Sequence, residues 1–139
     1  MPKPFWMVLG LLAACGTSGS VVVVDAWAGT TPPGVDSAAF YVTIENGTAD
    51  DLTLTTASSP RCASIEIHES TLDENQVMRM RPVTDLTISA GRRLEMEPGR
   101  THVMCLEPAT QLIEGERIDI EFRFQGGLTV NGQVAVENR

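Results

Sequence analysis

From Val21 onward the apolar residues of this chain recur at every second position, and no stretch sustains the three-to-four-residue spacing of an amphipathic helix. Successive side chains of a strand point to opposite faces, so such a chain is built for sheets with one face buried. "RIDIEFRF" is the clearest case: Ile118, Ile120, Phe122 and Phe124 share one face, while Arg117, Asp119, Glu121 and Arg123 share the other. "SAAFYVTIEN" sends Ala38, Phe40, Val42 and Ile44 to one side, and "DLTLTTASS" does the same with Leu52 and Leu54. In "LTVNGQVAV" the apolar parity of Leu128, Val130, Val134 and Val136 carries through Gly132, which favours one continuous strand over a hairpin at Asn131-Gly132.

Turn signals divide these runs at short intervals, at Pro32-Pro33-Gly34, Asn46-Gly47, Ser58-Ser59-Pro60, Ala90-Gly91, Pro98-Gly99, Gly115 and Gly126-Gly127. Further strands are expected near 64–69, 77–82, 86–89, 93–96 and 102–106. About nine or ten short strands in one domain predict an all-β Greek-key sandwich or barrel. The formal charge of −8 has no basic block to offset it, which argues against nucleic acid as a partner.

The first residues run from Lys3 through an apolar stretch, Phe5 to Ala14, to small residues and a cysteine. This pattern predicts a lipoprotein signal peptide over 1–14, too short to span a bilayer. Leu12-Ala13-Ala14-Cys15 resembles the bacterial lipobox, so Cys15 is the expected lipidated first residue of the mature chain. Residues 15–20 would form a lipid-anchored tether and 21–139 the folded domain, held on the extracytoplasmic, periplasmic side of a membrane. Cys62 and Cys105 then remain, an even number in an oxidising space, where a disulfide is the default. Strand parity opposes it: Cys62 shares the parity of His68, whereas Cys105 is opposite to His102 and Met104, so neighbouring strands would aim the two thiols at different faces unless a bulge intervenes.

The only two histidines both fall at the ends of strand-like runs, in "SIEIHES" and "THVMCLE". His102 and Met104 leave the same face of a strand, with Cα atoms roughly 6.5 Å apart. His68 ends another strand, and Met78 and Met80 share one parity on the segment after it. Imidazole and thioether donors suit copper, above all Cu(I), whereas calcium and magnesium want oxygen. Taken singly, Met78, Met80, Met96 and Met104 could each be packing only. No nucleophile and base pair is apparent, so the residues describe a binding protein rather than an enzyme.

The order His68, Met80, His102, Met104 matches, residue by residue, the H(M)-x(10)-M-x(21)-H-x-M signature of the PCu(A)C family of periplasmic copper chaperones, with Glu69 at the optional methionine. "DAWAGTTPPG", "AAFYVTIEN", "IEIHE" and "MRMRPV" resemble further segments of that family. The resemblance implies a cupredoxin-like fold and a Cu(I) site of His68, Met80, His102 and Met104, with Met78 as the register alternative. It also implies copper supply to the CuA centre of cytochrome c oxidase, with oxidase subunit II and Sco-type proteins as partners. The His- and Met-rich tail of some relatives is missing, and a free Cys105 beside Met104 would compete for the ion. Copper sequestration is the alternative within the same class. A β-sandwich adhesion or scaffold domain with core methionines is the alternative outside it.

Overall fold

The computed structural model describes residues 19–139; the expected signal peptide and Cys15 lie outside the described residues. Ten strands follow one another: β1 (Val21–Ala28), β2 (Ser37–Asn46), β3 (Leu52–Ser58), β4 (Cys62–Leu72), β5 (Met78–Pro82), β6 (Leu86–Ile88), β7 (Arg93–Glu95), β8 (His102–Pro108), β9 (Arg117–Phe124) and β10 (Thr129–Val136). Among the described residues no helix is long and apolar enough to cross a membrane.

The strands hydrogen-bond in the order β5-β4-β8-β2-β1-β10-β9-β3-β6, with β7 attached to β2. All pairings are antiparallel except β1 with β10. The ladder curls until residues 55–57 of β3 line a groove with residues 65–67 of β4. The core is enclosed between these two halves: Phe40, Val42 and Ile44 from β2, Ile118, Ile120, Phe122 and Phe124 from β9, and Val103 from β8 are all buried. These are the inward positions that strict alternation selects.

Two bulges adjust the pleat. In β1 the register shifts between Val23 and Asp25, and the inward positions change from odd to even, so that Ala26 and Ala28 are buried. In β3 a second shift falls between Leu54 and Thr56. Strand β10 is continuous through Asn131 and Gly132. A Cβ at Gly132 would stand 3.0 Å from the Val23 methyl groups, so any larger residue there would have to push Val23 aside. Leu128 departs from the expected inward set: it closes the turn after β9, its carbonyl accepting from the Phe124 N–H, and its side chain is exposed.

Candidate metal centre

β4 and β8 pair so that His68 stands directly opposite His102, and Glu66 opposite Met104. Ile67 and Val103, the next pair along, face the core, so both histidines and Met104 occupy the outward face of the same two strands. His102 is nonetheless only 3% exposed. Its ring lies between those of His68 and Tyr41, with centroids 5.8 and 6.5 Å away, and Tyr41 in turn packs on Trp27 at 4.8 Å. A row of four rings thus crosses β1, β2, β8 and β4.

The ring nitrogens define what the pair can do. His102 Nδ1 lies 3.0 Å from the Arg100 carbonyl oxygen, which can only accept, so Nδ1 carries the hydrogen and Nε2 is bare in the neutral ring. His68 Nε2 lies 2.7 Å from the Glu66 carboxylate, which accepts its hydrogen and leaves Nδ1 bare. Those two bare nitrogens, His68 Nδ1 and His102 Nε2, are buried without a hydrogen-bond partner. Each such group costs about 1–3 kcal/mol. A buried lone pair opposite a nitrogen tied to a carboxylate or backbone carbonyl is the arrangement of a metal-ligating histidine.

Met104 is half-buried, two residues beyond His102 on the same face. Met80 approaches from the far side: β5 pairs with β4, Met80 opposite Ser70 and Pro82 opposite His68. Met80 therefore shares the outward face with His68, one pleat along, but it sits on an edge strand and is 58% exposed. Met78 stands opposite Leu72, a further pleat away, which leaves it outside the set. Met96 is buried core. No group of three or more His, Cys, Asp or Glu side chains among the described residues is placed to hold a metal ion, so a set of three or more donors here must draw on methionine sulfur.

Cys62 and Cys105 are joined by a disulfide, with Cα atoms 5.4 Å apart. The parity objection fails because neither strand keeps a regular pleat between them. Ala63 and Ser64 are both exposed, which turns Cys62 inward against the core, and Glu107 in β8 adopts a left-handed backbone with φ of 47°. Cys105, bonded and wholly buried on the inner face, is removed from competition for an ion on the outer one.

Sequence reasoning missed three contributors. Glu66 was not singled out, although its position two before His68 was a usable signal. The Arg100 carbonyl and Tyr41 carried no signal, since both depend on strand neighbours that only the topology supplies.

Residues 21–136 match the family model described as "Putative lipoprotein LpqE-like". The chain belongs to the LpqE-like family. This LpqE-like chain is 28% identical over 106 residues to "Uncharacterized protein RP573" of Rickettsia prowazekii, a match covering 75% of this chain and 59% of that one. It thus spans little more than half of that relative's length. Among solved structures it is similar to the copper-bound PCuAC domain from PmoF2, with TM-score 0.70 and 18% identity over 88% of this chain and 96% of that one. It is also similar to the solution structure of CuI-DR1885 from Deinococcus radiodurans, with TM-score 0.66 and 24% identity over 88% and 83% of the two chains. The fold of this LpqE-like protein is that of the PCuAC domains, the cupredoxin-like architecture that the family resemblance implied.

Proposed function

We propose that this protein is an extracytoplasmic copper chaperone, a carrier rather than a catalyst, that holds one Cu(I) as cargo through His68, Met80, His102 and Met104. The observation that carries the reading is the pair of facing imidazoles, each with one buried, unpartnered nitrogen and the other nitrogen tied down. Two nitrogen and two thioether donors match a soft, monovalent ion. Thioethers also survive in an oxidising space, where free thiols would be lost to oxidation. The names of the copper-bound PmoF2 domain and of CuI-DR1885 support the same cargo.

The family description as a lipoprotein supports anchoring through lipid on Cys15. Delivery to the CuA centre, with cytochrome c oxidase subunit II and Sco-type proteins as partners, is the finer reading that the signature favours. The deciding experiment is an anaerobic Cu(I) titration against a competing chelator. One tight equivalent is expected, lost on replacing both histidines; two tight equivalents, or none, would defeat the reading.

A further inference from the structure

Among the described residues, half of the exposed large apolar side chains, namely Leu72, Val77, Met78 and Met80, lie on the β4–β5 hairpin, and every residue of β5 is exposed. β5 is also the end of the sheet. The Val83 N–H donates to the Ile67 carbonyl and the Asp73 N–H to the Val77 carbonyl. In the alternating antiparallel ladder these bonds place Arg79 and Arg81 in the hydrogen-bonded pairs with β4. The N–H and C=O groups of Met78 and Met80 therefore point away from β4, along a free edge. Their side chains lie on the outward face with His68, while Arg79 and Arg81 project from the other face.

Resting on the copper reading above, we propose that β5 is the docking strand for the partner that exchanges copper with this protein. The partner adds an extended segment to the edge, with soft sulfur side chains on the face of Met80 alternating with acidic side chains opposite Arg79 and Arg81. Backbone pairing supplies the affinity in such strand addition, and alternate side chains supply the specificity. Arg79 and Arg81 already pair with Asp73 and Glu69 at 2.9 and 2.7 Å, but both side chains remain 70% exposed, so an acidic residue across from each adds a second carboxylate on its free side, a favourable cross-strand pair. A second copy of the chain is the poorer occupant, because antiparallel self-pairing that sets methionine against methionine also sets Arg79 and Arg81 against arginines. Pro82 has no N–H to offer and ends the docking segment there. The exchange leaves copper monovalent: a bond from copper to an incoming sulfur forms as a bond to one of the chain's own donors breaks.

The test uses the full chain, copper-free and Cu(I)-loaded, with two synthetic probes, Glu-Met-Glu-Met-Glu and Lys-Met-Lys-Met-Lys, both blocked at their ends. Amide exchange followed by NMR should slow at Met78 and Met80 by tenfold or more with the acidic probe, and stay unchanged at Arg79 and Arg81. The lysine probe should bind at least tenfold more weakly. Met78→Pro removes one outward N–H without touching the β4–β5 bonds, so it should weaken the acidic probe tenfold or more while Cu(I) affinity stays within twofold. The Arg79→Gln, Arg81→Gln double variant should abolish the preference for the acidic probe. Protection at other strands, equal binding of the two probes, or protection of Met78 and Met80 by self-association of the chain alone would each overturn the proposal. A chain that takes no Cu(I) but still binds the acidic probe at β5 would sink the copper reading and leave the docking strand standing.

Discussion

The two halves of the candidate site are built differently. On β4 and β8, His68, His102 and Met104 sit inside the sheet, held by ladder bonds on both sides, by Glu66 and Arg100 at the rings, and by the Cys62–Cys105 bond on the reverse face. On β5, Met80 stands on a single-sided edge with every neighbour on its own strand exposed. On the proposed reading, three candidate donors are fixed before an ion arrives, and the fourth would close on it at the cost of ordering an exposed side chain. For the proposed carrier this division would serve both tasks: the fixed part would retain the cargo, and the exposed part would give a receiving protein somewhere to begin.

Removing the disulfide should have the largest effect. It closes a 43-residue separation, and its loss in a Cys62→Ala, Cys105→Ala variant should lower folding stability by about 4 kcal/mol, read by denaturant unfolding. Unchanged stability would show that the fixed half owes nothing to this clamp. His102→Ala should weaken Cu(I) binding by more than the roughly 100-fold that outer-shell partners reach at most, whereas Glu66→Ala should fall within about 10- to 100-fold. Nitrogen NMR of the copper-free Glu66→Ala chain should show His68 losing its preference for hydrogen on Nε2, a change that loss of packing alone would not produce. Met80→Leu should cost roughly tenfold, about 1.4 kcal/mol; a loss as large as that of His102→Ala would break the division between the halves.

The smallest effect concerns the hairpin end. Asp73 accepts hydrogen bonds from the Val77 and Asn75 N–H groups and from Arg79. The Val77 N–H, opposed by partial desolvation and aided by Arg79 and Asn75, holds its carboxyl below the ordinary value. A lowered folded pKa means a contribution present above the unfolded value of about 3.9 and lost as pH falls through the folded one. Amide exchange at Asn75 and Val77, corrected for its intrinsic pH dependence, should therefore accelerate below about pH 3.9, while β8 amides stay protected. Equal loosening of both regions would erase the contrast.

The strands and the spacing of the four candidate donors were legible because alternation and turn residues are local properties. What remained hidden depends on departures from regularity. Cys62 turns inward where the alternation lapses at Ala63 and Ser64, opposite the left-handed Glu107, although the β4–β8 register itself does not shift, and no residue type there announces the lapse. Val21 and Val23 change parity with Ala26 at the β1 register shift, which is equally unannounced. Glu66 could be seen to share a face with His68, but whether its carboxylate meets the ring depends on side-chain torsions that spacing does not set. The free edge of β5 is a property of strand order, and order arises from pairings between residues far apart in the chain.

Residues 19–139 contain a single tryptophan, Trp27, and it stands at the far end of the ring row that begins at His68. Its indole stacks on Tyr41, which packs on His102, and the Arg139 guanidinium covers it 4.9 Å from the ring centre. The domain's tryptophan emission therefore originates at one indole, linked through a single tyrosine to an imidazole of the candidate site. If the proposed site fills, its occupancy should register as a change in this emission, readable in the unlabelled protein.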